Sequence, residues 1–223
     1  MPTGAPRAVR QGARWEDAYG RCRQVAPEAF DPDRVHNLWN GEWQATGDPA
    51  DATSPIDGSP IAGPPMLRLD HGLQAVAAAA AEHRQWTGID LDERRARVAR
   101  CVDQLEAHRE LLALLLVWEI GKPWRQALTS VDRTVSGVRW YLEEIEPMLA
   151  GRQPLAGPVS NIASWNYPLS VLVHAMLVQL LAGNAVIAKT PTDGGLCALT
   201  LSGACMRRCD LPVTLISGSG SRL

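Results

Sequence analysis

Asn166, Lys189 and the glycines at 218 and 220 are the residues whose types and positions could do chemistry. Asn166 lies in the polar turn Ser164-Trp165-Asn166, which follows a short apolar run and precedes a longer one. Its side-chain amide can donate to an oxyanion, the usual support for a tetrahedral intermediate. Asparagine is equally suited to capping a helix or closing a turn. Lys189 ends the run Ala185-Val186-Ile187-Ala188-Lys189, and Lys122 and Lys189 are the only lysines among 22 basic residues. A lysine at a strand end can hold a ribose hydroxyl or a phosphate, or it can be a solvated surface residue. Thr190-Pro191-Thr192-Asp193 adds hydroxyls and a helix N-cap, and a helix N-terminus favours phosphate. Gly218-Ser219-Gly220 has the composition of a phosphate turn, a short motif that many loops share.

These groups need a scaffold that brings them to one edge. Residues 158–193 read as strand, polar turn, apolar helix, glycine stop and second strand, half of a dinucleotide-binding βαβ unit. The alternation predicts strands near 159–163, 185–189 and 213–216, with helices over 169–182 and 194–209. Helices between short β-branched runs imply an α/β, Rossmann-like parallel sheet with right-handed crossovers and flanking helices, whose ligands lie at the C-terminal ends of the strands. Upstream, apolar periodicity predicts helices over 73–86, 92–118 and 124–145, with Gly121-Lys122-Pro123 breaking the chain before the last. Trp39-Asn40-Gly41-Glu42-Trp43 and Ser54-Pro55-Ile56-Asp57-Gly58 carry turn signals that predict a hairpin within 38–61. Residues 1–34 read as a polar, loosely attached extension with one short helix near 15–24. Residues 35–223 then form an incomplete nucleotide-binding domain, interrupted by a Pro/Gly-punctuated linker at 145–160.

Composition narrows the function classes. A net charge of −2 and a pI near 6.2 give no electrostatic footprint for nucleic acid or an anionic membrane. The apolar run 169–188 is interrupted by His174, Gln179, Gly183 and Asn184, so it reads as buried helix and strand rather than a membrane span. Residues 1–34 mix arginines with Glu16, Asp17, Glu28, Asp31 and Asp33 and lack an apolar core, so neither a secretory signal nor a transit peptide is expected. Five cysteines without a Cys-x-x-Cys pair suit a reducing cytoplasm and no metal site. Cys205 and Cys209, four apart on a helix, read as small buried thiols.

The run Ile162-Ala163-Ser164-Trp165-Asn166-Tyr167-Pro168-Leu169, followed by Leu181-Ala182-Gly183-Asn184-Ala185-Val186-Ile187-Ala188-Lys189, resembles the aldehyde dehydrogenase superfamily. Trp39-Asn40-Gly41-Glu42-Trp43, Ser54-Pro55-Ile56-Asp57-Gly58 and Glu119-Ile120-Gly121-Lys122-Pro123 resemble further family landmarks in the same order. The likeness runs from about residue 36 to the last residue. It implies the N-terminal, cofactor-binding half of an enzyme that oxidises a small-molecule aldehyde to the acid through a cysteine thioester, with NAD or NADP as hydride acceptor.

By this resemblance Asn166 is the oxyanion donor. Ile162, Ala163, Ser164, Trp165 and Asn166 line the cofactor cleft, Lys189 and Thr192 hold the adenosine ribose, and Gly218 and Gly220 belong to the cofactor turn. Thr192 stands where many NAD-specific members carry a glutamate, which opens the way to NADP, although Asp193 could restore the negative charge. His174 replaces a tryptophan and Ala175 a lysine, and His174 reads as a packed helix residue. The family's nucleophilic cysteine and glutamate base lie downstream of the matched region. The expectation is therefore an N-terminal fragment, inactive alone, which forms a homo-oligomer only if completed, since 144–153 is shorter than the usual oligomerisation arm. The alternative is a truncated, non-catalytic homologue that binds nucleotide or a complementing chain.

Overall fold

The computed structural model describes residues 13–162, 165–191 and 194–220. The chain begins with α1 (Trp15–Val25) and a run of short strands: β1 (Asn37–Trp39), β2 (Glu42–Gln44), β3 (Asp48–Pro49), β4 (Ala52–Thr53), β5 (Pro60–Ile61) and β6 (Pro65–Met66). Four helices follow, α2 (Leu69–Trp86), α3 (Leu91–Ala107), α4 (Arg109–Ile120) and α5 (Trp124–Leu149). Next come β7 (Val159–Ile162), a wide π-helical segment (Pro168–Val173) continuing into α6 (His174–Leu181), β8 (Val186–Lys189), α7 (Leu196–Arg208) and β9 (Val213–Ile216).

The main sheet has the order β2-β1-β9-β8-β7. β7, β8 and β9 are parallel, with Ile162 opposite Lys189 and Lys189 opposite Ile216. The β1–β2 hairpin extends this core antiparallel to β9, through Leu38 opposite Leu215. Its turn uses Asn40 and Gly41 at φ 52° and 75°, the left-handed pair that an Asn-Gly hairpin requires.

Strand alternation divides the core into two layers. Val186, Ala188, Val213 and Leu215 face the large cluster built with α1 and α3–α7, while Ile187 and Ile216 face a small one with Trp39, Leu67, Ala75 and Ala79 under α2. Lys189 shares its strand face with Ile187, so it emerges on the α2 side. Its register partner Ile162 emerges there too.

Three expectations need correction. The helix predicted over 92–118 is two helices, because His108 leaves helical geometry at φ −99°, ψ 16° and serves as C-cap of one and N-cap of the next. Continuous apolar periodicity across a one-residue break conceals it. Residues 15–35 are not loosely attached. Trp15, Ala18, Tyr19 and Cys22 form one buried stripe of α1 in the large core, joined by Phe30 and Val35. The Tyr19 hydroxyl donates to the carbonyls of Asp31 and Arg34, 2.7 Å each, and so fastens the segment after the helix. The helix over 124–145 also runs four residues further, with Pro147 inside its last turn.

Candidate active site

The site assembles where β7 and β8 end. Ile162 and Lys189 stand side by side across the parallel ladder, and Ile162, the last residue of the edge strand β7, is 74% exposed. The Lys189 Nζ donates to the Thr190 carbonyl at 3.0 Å, and partial burial lowers its pKa. The strand ends behind it are tightly stapled. Asn37, fully enclosed, accepts from the Ser217 amide at 2.7 Å and donates to the Pro65 and Thr46 carbonyls. The Thr190 and Ser217 hydroxyls meet at 2.8 Å, and the Thr190 amide donates to Ile216 at 2.8 Å. Gly218 follows directly and is buried, whereas Gly220 is exposed with open space around it. Neither takes a left-handed φ.

Beyond β7 the chain turns through Trp165 and Asn166 into Pro168, whose fixed φ suits the first position of the helical segment. Trp165 is 47% exposed, and Asn166 is partly buried. The Lys122 Nζ donates to the Asn166 carbonyl at 2.9 Å and lies 4.5 Å from the centre of the Tyr167 ring. Lys122 reaches that place because α4 ends in a left-handed glycine cap. Gly121 sits at φ 66° and its amide bonds Val117, the αL motif, while the Lys122 amide returns to Leu116 at 3.3 Å. Pro123 then opens α5.

Next to Lys122, α4 contributes a buried carboxylate. Glu119 accepts from the amides of Cys197 and Ala198, at 2.6 and 3.1 Å, at the start of α7. Burial raises its pKa to about 7 against the pull of those donors. Gly194 and Gly195, at φ 130° and 77°, bring the preceding loop against the Glu119 backbone and Pro168, where a Cβ would lie 2.6 and 2.9 Å from its neighbours. The ends of α4, β7 and the loop before α7 are thus fixed together.

Of the residues expected to form the site, Ile162 and Lys189 are adjacent. Trp165 and Asn166 lie in the turn after β7, and Gly218 sits behind the β9 end. Ala163, Ser164, Thr192 and Asp193 lie outside the described residues. His174 is a half-buried packing residue, edge-on to Tyr141 at 5.8 Å and pressed against Gly137. Cys205 and Cys209 are buried thiols. Sequence reasoning overlooked Lys122 and the face of α5 beside it. Lys122, Arg125, Gln126, Thr129, Ser130 and Arg133 recur at helical spacing and line a cavity of about 310 Å³ closed by Tyr167 and Ser170. A polar stripe of this kind reads as solvated surface until the neighbouring turn is in place.

The sequence profile described as the aldehyde dehydrogenase family matches residues 43–222. The chain belongs to the aldehyde dehydrogenase family. An aspartate-semialdehyde dehydrogenase (non-phosphorylating) of Halomonas elongata is 31% identical over 161 residues, 66% of this chain and 33% of that protein. The NADP/NAD-dependent aldehyde dehydrogenase PuuC of Escherichia coli is 29% identical, over 74% of this chain and 37% of its own length. The chain thus spans about a third of the curated relatives it matches. Among solved structures, the NADP-dependent glyceraldehyde-3-phosphate dehydrogenase of Bacillus halodurans superposes with a TM-score of 0.76 at 22% identity, over 84% of this chain and 44% of that one. This shows the shared fold, that of the Rossmann-like half of an aldehyde dehydrogenase. No helix among the described residues is long and apolar enough to cross a membrane.

Proposed function

We propose that the chain supplies the cofactor-binding half of an NAD(P)-dependent aldehyde dehydrogenase, with the oxyanion donor Asn166 at its edge. The observation that carries this is the pairing of Ile162 and Lys189 on one face at the C-terminal end of the sheet, directly before the Asn166 turn. Such an edge, at the ends of parallel strands, is where open α/β sheets take ligands. The donor set suits a dinucleotide. Lys189 has no carboxylate partner among the described residues, so its ammonium is available to ribose hydroxyls or phosphate, and exposed Ile162 and Trp165 offer apolar surface to a ring. By residue type Thr192 brings no carboxylate to repel a 2′-phosphate, which admits NADP as well as NAD.

When bound, the nicotinamide supplies a hydride acceptor for the aldehyde carbon. The chain's own residues orient and stabilise. The Asn166 amide donates to the aldehyde oxygen as negative charge develops there, and a preorganised donor of this kind contributes about 3 kcal/mol to a barrier. Lys122 holds the Asn166 carbonyl and thereby positions that turn. The thioester route implied by the family needs a thiolate and a glutamate-activated water. All five cysteines are buried. Burial pushes the thiols of Cys22 and Cys205 up to about 12, whereas a hydrogen bond with Cys101 lowers that of Cys209 to about 7. Cys209 caps the C-terminal end of α7, before β9 begins, at the opposite end of the strands from Asn166, so this reading takes its thiolate from outside these 223 residues.

The test is a titration of the chain with NAD+ and NADP+ followed by tryptophan fluorescence, alongside an assay for aldehyde oxidation. Saturable binding with no turnover is expected. Appreciable turnover by the 223 residues, or failure to bind either nucleotide, would overturn the proposal.

A further inference from the structure

The five buried thiols fall into two groups with opposite chemistry. Cys22 of α1 and Cys197 of α7 lie beside Glu119, and burial together with that carboxylate pushes both thiols up. Cys101 of α3 meets Cys205 and Cys209 of α7 where the two helices pack. Here the side chains of Cys101 and Cys209 share a hydrogen bond. The Gln104 amide, about one turn along α3 from Cys101, donates to the Cys209 sulfur at 3.3 Å. Donors aimed at a sulfur favour its anionic form. The Cys101 bond, helped by the Arg100 guanidinium, lowers the Cys209 pKa to about 7 against burial and the charges of Asp210 and Asp103. The same bond and burial push Cys101 up, and burial pushes Cys205 to about 12. One thiol of the group is thus poised as a thiolate, the nucleophilic form, with a protonated thiol against it. Cys209 also lies close to the surface. Arg100, Asp103, Arg208 and Asp210 around it are exposed, and Gln104, which covers it, is partly so. As the C-cap of α7 it stands outside the regular helix, whereas Cys205 lies a turn inside.

We propose that Cys101 and Cys209 form a site of reversible oxidation by peroxide, which joins α3 to the end of α7 through a disulfide. The Cys209 sulfur attacks one peroxide oxygen and the O–O bond breaks. The departing hydroxide takes a proton and leaves as water, and Cys209 becomes a sulfenic acid. The Cys101 sulfur then attacks the Cys209 sulfur. The S–S bond forms, the S–O bond breaks, and the hydroxyl departs with the Cys101 proton as a second water. Two thiols lose two electrons and the peroxide gains them. In a reducing compartment such a bond is transient and redox-sensing. The site lies at the opposite end of the strands from Asn166, so it stands apart from the dehydrogenase reading.

The experiment treats the reduced 223-residue chain with stoichiometric hydrogen peroxide in the absence of denaturant. Remaining thiols are then alkylated under denaturing conditions, and the protein is digested for mass spectrometry. The expected product is lighter by two hydrogens before alkylation and yields a cross-linked Cys101–Cys209 peptide. Cys22, Cys197 and Cys205 should be recovered as alkylated thiols, and dithiothreitol should restore the reduced mass. The linked form should unfold at higher urea, because the bond closes a long loop of the unfolded chain. C101S should give no cross-link and hold Cys209 as a sulfenic acid that dimedone traps. C209S should leave the other four thiols reduced over the same period. The wild-type peptide map decides the question even if either variant misfolds. An unchanged wild-type mass, a bond through Cys205 or between Cys22 and Cys197, or oxidation of Cys209 without a bond to Cys101 would overturn the inference.

Discussion

The two lysines of the chain stand at the two ends of one turn and on opposite faces of the sheet. Lys189 flanks its start, beside Ile162 on the α2 side; Lys122 holds its end, through the Asn166 carbonyl on the α5 side. Each donates to a backbone carbonyl, and partial burial lowers the pKa of each. Their surroundings differ. Lys189 has an exposed isoleucine beside it and a scaffold of buried amide and hydroxyl bonds behind it, whereas Lys122 shares a cavity with two arginines, hydroxyls and a tyrosine ring. A cation beside apolar surface suits a molecule with rings and hydroxyls, whereas a lysine engaged by a backbone carbonyl and an aromatic face holds the turn in place.

The comparison breaks most readily through the staples behind each lysine. On the Lys122 side, Glu119→Ala leaves the Cys197 and Ala198 amides buried without acceptors. It should cost about 3 kcal/mol in urea unfolding, since two buried donors lose their acceptors. Glu119 also gives a pH signature. Its folded pKa of about 7 lies above the ordinary value of 4.5, so the folded state holds the proton more tightly. Its contribution is full below pH 4.5 and declines as pH rises to 7, by roughly 3 kcal/mol at 1.36 kcal/mol per unit. The stability difference between wild type and Glu119→Gln should follow that slope; a difference flat with pH would show that Glu119 is not the titrating group. On the Lys189 side, Asn37→Ala strands the Ser217 amide and should cost about 2 kcal/mol, with NADP+ affinity falling alongside stability.

These staples also mark what the sequence could and could not disclose. The β7, α6, β8, α7 and β9 elements were legible within a residue or two, because apolar runs, Gly183 and Pro212 punctuate them locally. Asn166 and Lys189 were legible for the same reason, since strand ends place them. Asn37 and Glu119 were not. Their partners lie 180 and 78 residues away, and nothing in Val-His-Asn-Leu or Trp-Glu-Ile-Gly announces a buried hydrogen bond across that distance. The pairing of β1 with β9 is equally non-local. The α5 cavity was hidden for another reason: a stripe of arginine and threonine on a helix is the usual dress of a solvated face, and only the Tyr167 turn packed over it makes a cavity.

The lysines themselves give the direct test. Lys189→Met should weaken NADP+ binding about tenfold, or 1.4 kcal/mol, through loss of a charged hydrogen bond. Lys122→Met should spare NADP+ within twofold and instead cost about 1 kcal/mol in urea unfolding, through loss of its bond to the Asn166 carbonyl. If both substitutions weaken NADP+ equally, the two lysines act as one site and the distinction between them fails.

The smallest expected effect lies in the packing that sets the cavity's width. Gly137 on α5 faces His174 on α6, and a Cβ there would lie 2.5 Å from His174 Cε1. Gly137→Ala must therefore push the imidazole away from its edge-on contact with Tyr141 or part the two helices. The imidazole can move, which keeps the cost near 1 kcal/mol and the fall in Tm at about 2–4 °C. Pairing it with His174→Ala removes the clash, so the double variant should recover most of the loss attributable to Gly137→Ala. If the helices part, the double variant recovers little of that loss. NADP+ affinity, set on the other face by Lys189, should not move.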